Sequence, residues 1–211
     1  MTLIALLDYG MGNMRSVEKA LARAGADVAR ASGPEVARAA EGLVLPGVGA
    51  FPAGIERIRS VGLDELVADR VAAGTPLLGI CLGMQLLFER STERGGGDGL
   101  GFLAGEVTEL RAPGRKLPHI GWEPVELPAG GELLAELESG TPFYFVHSFA
   151  ARPADPRAIV GTARWGETFA AVVASPPVYG VQFHPEKSSA AGLRLLGNFV
   201  RICARAPAIR S

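Results

Sequence analysis

The chain has 211 residues, of which 48% are apolar and 20% charged, enough apolar material for a packed core and too much for a disordered segment. Its 21 basic and 22 acidic residues leave a net charge of −1 with no run of like charge, which argues against nucleic acid or an anionic membrane surface as a partner. The two cysteines, Cys81 and Cys203, lie too far apart to read as a disulfide framework, and no apolar run approaches membrane-spanning length, so a single cytoplasmic domain over residues 1–211 is expected.

Taken in chain order, MTLIALLDYG lacks a basic leader region and reads as a first buried strand rather than a signal peptide. MRSVEKALARAGA places Val17, Ala20, Leu21 and Ala24 on one helical stripe, with Asn13 as its N-cap. The preceding DYGMGNMR follows a strand and opens a helix, but Arg15 stands where a dinucleotide fingerprint has its third glycine. DVARA is a weak strand, PEVARAA a short helix, and GLVLPG a continuously apolar strand of the kind covered on both faces. Helical segments run through IERIRS and LDELVADRVAAG, and PLLGIC is the strand that follows them. Strand and helix alternate throughout this half, which predicts βαβ units and an open, mostly parallel sheet with helices on both faces. RGGGDG reads as a flexible surface loop. Beyond it, AGEVTELR, IGWEPVEL, FYFVHSF, RAIVGTA, FAAVVAS and VYGVQF are valine- and aromatic-rich runs separated by Gly and Pro, some of them added as antiparallel strands. A helix from Ser189 to Arg205 closes the chain, with Leu193, Leu196, Val200 and Cys203 at helical spacing.

The chemistry concentrates in three stretches. GICLGMQLLFE sets Cys81 between Gly79 and Gly83, after an apolar strand and before a helical pattern. This is the G-x-C-x-G form of a nucleophile elbow, where a sharp strand-to-helix turn pushes the central side chain out of the sheet and free N–H groups favour thiolate. A lone cytosolic cysteine is more commonly a small buried hydrophobe, so the elbow needs a base nearby to mean catalysis. Of the three histidines, His119, His147 and His184, only His184 has a carboxylate two residues on, Glu186. On an extended strand those side chains share a face, and Pro185 is expected to stop the ladder and hold the segment extended. In LPGVGAF, Gly47, Val48 and Gly49 form a turn whose N–H groups can face an oxyanion; Val48 or Gly49 would supply one donor and Leu82, after the nucleophile, the other.

PGVGAF, GICLGMQLLFE and VQFHPEKS, in this order, resemble the class I glutamine amidotransferases. Within them DYGMGNMRSV, PHIGW and FYFVHSF are similar to the glutaminase subunits of imidazole glycerol phosphate synthase, over nearly the whole chain. The resemblance implies a cofactor-free, metal-free glutaminase that forms a heterodimer with a cyclase subunit, itself a (β/α)8 barrel, and passes ammonia to it. It implies Cys81 as nucleophile, His184 as acid and base, and Glu186 as orienter, with Gln85, Glu93, Ser148 and Phe149 around the substrate glutamine. Asn13, Trp122, Tyr144 and Lys187 would lie near the cyclase-docking face. Ala50 departs from members that carry histidine there. The glutaminase component of anthranilate or aminodeoxychorismate synthesis, a cysteine-variant α/β-hydrolase, and a binding module with a vestigial pocket are the alternatives, and the His-before-acid order argues against the hydrolase.

Overall fold

β1 (Thr2–Leu7) illustrates how the sequence pattern becomes architecture: Ile4 and Leu6 pack on one face of the sheet, Ala5 and Leu7 on the other. The computed structural model describes residues 1–128 and 131–206; residues 129–130 and 207–211 of the expected domain lie outside that range. After β1 come α1 (Met14–Arg23), β2 (Ala26–Ala31), α2 (Pro34–Ala39), β3 (Gly42–Gly47), α3 (Phe51–Ser60), α4 (Leu63–Ala72), β4 (Leu77–Cys81) and α5 (Leu82–Leu86). The second half holds β5 (Phe88–Ser91), β6 (Gly97–Asp98), β7 (Leu103–Glu109), β8 (His119–Val125), β9 (Thr141–His147), β10 (Phe149–Pro153), β11 (Ile159–Trp165), β12 (Glu167–Ser175), β13 (Val178–Val181) and α6 (Ser189–Arg205).

A seven-stranded sheet in the order β11-β12-β13-β4-β3-β1-β2 forms the centre. Its pairs from β13 to β2 are parallel, and β12 and β11 extend it antiparallel. Every residue of β3 and β4 is buried, as the continuous apolar runs require of strands covered on both faces. One face is covered by α1 and α6 through Val17, Leu21, Leu195, Leu196 and Phe199. The other is covered by α3, α4 and α5 through Phe51, Ile55, Ile58, Leu66 and Leu86. A four-stranded sheet, β10-β7-β5-β6, and a hairpin, β8-β9, complete the structure. The expected doubly covered, mostly parallel sheet with added antiparallel strands is what the chain forms.

Four local expectations are corrected. The helix after Cys81 ends at Leu86, because Phe88 turns into β5 and pairs with Leu103 of β7. RGGGDG is not wholly a loop: Glu93–Gly95 is a 3-10 turn, and Gly97 and Asp98 pair with Ser91 and Arg90. β10 is an additional strand, held antiparallel to β7. The fourth concerns His184 and Glu186. β13 ends at Val181, and Pro185–Lys187 is a 3-10 turn, so the carboxylate reaches the imidazole by chain curvature and not by strand alternation. Proline, with its fixed φ and no N–H to give, opens that turn.

Candidate active site

The C-terminal ends of β3, β4 and β13 are adjacent, with Gly47 in register with Cys81 and Val181 with Ile80. In parallel sheets this edge is where ligands bind, and here the topology brings all three motifs to it. Cys81 sits at φ 54, ψ −112, a conformation an L-residue adopts only under tertiary constraint. The constraint is visible in the flanking glycines. A Cβ on Gly79 would meet Met84 N at 2.7 Å, and one on Gly83 would meet the Leu45 carbonyl oxygen at 1.8 Å. The elbow therefore packs backbone against backbone, and only glycine fits.

His184 Nδ1 lies 2.9 Å from Glu186 Oε1, with the two side chains 6% and 1% exposed. Burial opposes charge on this imidazole, but hydrogen bonds to Cys81 and Glu186 and the negative charges of both outweigh it and push His184 up to about 10. With Nδ1 committed to the carboxylate, Nε2 is the nitrogen that faces the sulfur. The sulfur also lies 3.7 Å from the Val146 carbonyl and 3.8 Å from Gln182 Nε2.

Cys81, His184 and Val146 line a cavity of about 260 Å3 together with Val48, Gly49, Leu82, Gln85, Glu93, Ser148, Phe149 and Lys187, while Glu186 and Gln182 stand behind its wall. That volume is below the roughly 300–1,000 Å3 of sites for drug-sized ligands and suits a single amino acid. Glu93 Oε2 accepts from the Phe51 N–H at 2.8 Å, tying the cavity wall to the start of α3 just beyond the PGVGA turn. Gly49 has φ +105, so the turn carrying Val48 uses glycine's freedom. Upstream, the Tyr9 hydroxyl donates to the Pro46 carbonyl at 2.8 Å. Burial, with Cys81 charge added, pushes that phenol up.

The expected docking residues divide. Trp122, 49% exposed, meets Tyr144 edge-on at 5.9 Å, and Lys187 Nζ lies 5.9 Å from the Tyr144 ring, so these three are contiguous. Asn13 is exposed at the start of α1, where its carbonyl, not its side chain, receives the Ser16 and Val17 N–H groups. His147, weighed from sequence only as a candidate base and set aside for His184, lines the cavity, and Gln182 and Tyr9, which the sequence reading does not single out, also belong to the site. Gln182 had a signal: a polar amide inside the apolar run VYGVQF, where it is fully buried. Among the described residues no cluster of His, Cys, Asp and Glu suits a metal ion, and no helix is long and apolar enough to cross a membrane.

The profile described as Glutamine amidotransferase class-I matches residues 5–203. The chain belongs to the class I glutamine amidotransferase family. It is 46% identical over 198 residues to the imidazole glycerol phosphate synthase subunit HisH of Rhodopirellula baltica, covering 93% of this chain and 96% of that one. The protein of the same name from Moorella thermoacetica is 47% identical, with 93% of each chain covered. Among solved structures, one titled as a glutamine amidotransferase superposes with a TM-score of 0.75 at 23% identity, covering 95% of this chain and 98% of its own. The structure of PurLQS from Thermotoga maritima gives 0.74 at 17% identity, with 95% and 98% covered. These last two speak to the fold, and the family assignment displaces the α/β-hydrolase alternative.

Proposed function

We propose that the chain, as one domain over residues 1–211, is the glutaminase subunit of an imidazole glycerol phosphate synthase. It hydrolyses glutamine and delivers ammonia to a cyclase subunit, a (β/α)8 barrel, in a cytoplasmic heterodimer. The observation that carries the reading is the convergence of Cys81 with the buried His184–Glu186 pair on one amino-acid-sized cavity.

In the reaction, the Cys81 thiolate attacks the side-chain amide carbon of glutamine, and the carbonyl electrons move onto oxygen. The N–H of Leu82 and that of Val48 or Gly49 stabilise this oxyanion. Collapse breaks the C–N bond as His184 gives its proton to the nitrogen, so ammonia leaves and a glutamyl thioester remains. Water, losing a proton to His184, then attacks the thioester and releases glutamate and the thiolate. Glu186 holds the imidazole throughout. Glu93 is the carboxylate on the cavity wall suited to the substrate ammonium, and Gln85, Ser148 and Phe149 supply polar contacts beside it. Neither step calls for a metal or an organic cofactor.

For docking, Trp122 and its neighbours Tyr144 and Lys187 offer an exposed aromatic and cationic surface at the mouth of the site, with Ile120 57% exposed on the same hairpin. The 46–47% identical relatives bearing the subunit name favour this acceptor over anthranilate or aminodeoxychorismate synthesis. The test is glutamate release by the chain mixed with the cyclase, together with mass-spectrometric capture of the thioester on the Cys81 peptide. No glutamate release with any cyclase preparation active on free ammonium would overturn the reading.

A further inference from the structure

We propose that Gln182 is a further catalytic group, an amide that donates a hydrogen bond to the Cys81 sulfur and is held in that orientation by a polar chain from His119 through His147, the Phe149 carbonyl and Gln85. The proposal rests on the reading of Cys81 as nucleophile.

The direction of every bond follows from one atom that can only accept. The Phe149 carbonyl oxygen lies 2.9 Å from His147 Nδ1 and 2.9 Å from Gln85 Nε2. His147 must therefore carry its proton on Nδ1, and Gln85 must turn its NH2, not its oxygen, towards Phe149. His147 Nε2 is then the bare nitrogen of a neutral ring, and it accepts from His119 Nδ1 at 3.1 Å. His119 Nε2 is buried without a partner, so a proton there would have no acceptor. Burial of the His119 ring, then the charge of Arg115, holds it down to about 4. His147 is lowered to about 3, chiefly by burial, with the His119 and His184 charges adding to it and the Phe149 bond opposing. Both rings stay neutral over the working range, and the chain keeps one polarity.

The second Gln85 N–H meets Gln182 Oε1 at 3.0 Å. With its oxygen so engaged, Gln182 presents NH2 to the sulfur, at 3.8 Å. A flipped Gln182 would set two NH2 groups against each other and an oxygen against a thiolate. As a thiol, Cys81 can give its proton towards the Val146 carbonyl, 3.7 Å away. As a thiolate it needs donors, and Gln182 supplies one beside the His184 imidazolium. The other charged or titratable groups near the sulfur are the Tyr9 phenol from the end of β1, Glu186 behind His184, and Lys187, Glu93 and His147 on the cavity wall. Gln182 adds stabilisation without adding a charge that moves with pH.

The experiment measures the rate of Cys81 alkylation by iodoacetamide against pH in the full chain, read on the Cys81 peptide. It needs neither glutamine nor cyclase, so it judges Gln182 even where the glutaminase reading fails. Gln182→Met keeps the volume and removes the donor; it is expected to raise the midpoint of the profile and to slow alkylation below it by about tenfold, the worth of one hydrogen bond to a charged group. Gln182→Glu places an acceptor against the sulfur and is expected to raise the midpoint further. In the complex with cyclase, the Met variant is expected to lose kcat with KM nearly kept. Variant profiles that superimpose on the wild type would overturn the proposal. In the wild type itself, the Gln182 side-chain amide resonances are expected to move as Cys81 titrates, and a signal that stays fixed would also overturn it.

Discussion

Glu186 Oε1 sits 2.9 Å from His184 Nδ1 in a turn opened by Pro185, so the carboxylate fixes both the tautomer and the aim of the imidazole that faces Cys81. Alkylating Cys81 replaces a chargeable sulfur with a neutral thioether and removes two of the causes that raise His184, while burial continues to lower it. The His184 titration is therefore expected to move down from about 10, and proton NMR of its ring follows this directly. In the unmodified protein a folded value above the unfolded one stabilises the fold fully below about 6.5, and that contribution disappears as pH rises through about 10. A His184 titration indifferent to alkylation would mean that the two side chains are not coupled.

Cys81→Ser is expected to lower glutamine-dependent turnover by roughly 10³-fold or more, since a hydroxyl is far less nucleophilic than a thiolate, while turnover from free ammonium by the complex stays intact. His184→Asn should cost about as much, and Glu186→Gln less, because the Gln variant keeps an acceptor near Nδ1. Comparing the two nitrogen sources in one preparation checks all three variants.

The elbow glycines make a stability prediction. Gly83→Ala drives a methyl to 1.8 Å from the Leu45 carbonyl oxygen, whereas a Cβ on Gly97 meets nothing within 4 Å. Gly83→Ala is expected to cost about 3 kcal/mol or more, and Gly97→Ala close to nothing. Urea unfolding of both variants measures the difference, and equal midpoints would show that the elbow has room the structure does not show.

Gly49 has φ +105, and a Cβ there would also meet Met11 Cε at 3.0 Å. Gly49→Ala is expected to misplace the Val48–Gly49 donors and lower glutaminase kcat by roughly 10²–10³, the worth of one oxyanion donor, without affecting ammonium-dependent turnover. The same turn can serve as a switch, so glutamate release should be slow in the isolated chain, faster with cyclase, and fastest when the cyclase holds its nucleotide ligand. Equal rates in the three samples would rule out gating.

Trp122→Ala should weaken binding to the cyclase by about 2 kcal/mol, as loss of an exposed aromatic anchor does, and calorimetric titration gives the value. An unchanged affinity would place the docking face elsewhere.

Much of this site was legible because its signals are local. Glycines on either side of Cys81, a carboxylate two residues after His184, and continuous burial in GLVLPG and PLLGIC each follow from short-range chemistry. What stayed hidden depends on partners distant in the chain. The end of α5 at Leu86 is decided by Phe88 pairing with Leu103, and β10 exists because Ala150 and Ala151 find Thr108 and Val107. Gln182 meets Gln85 across the sheet edge, a contact that no residue spacing announces. The route from His184 to Glu186 was misread for a different reason: residues two apart meet both on a strand and in a 3-10 turn, and proline fits either.

The placement of β13 governs how the protein comes into being on the ribosome. β4 is finished early in synthesis, yet its neighbour on one side emerges about a hundred residues later. Until then the strand that carries Cys81 is a bare apolar edge, the kind that recruits other chains, and sequestering it is a task for the growing polypeptide or a chaperone. His184 and Gln182 arrive with the same late strand. The thiol thus gains its reactive surroundings only when the last long-range pairing closes, and a nascent or truncated chain carries an ordinary cysteine.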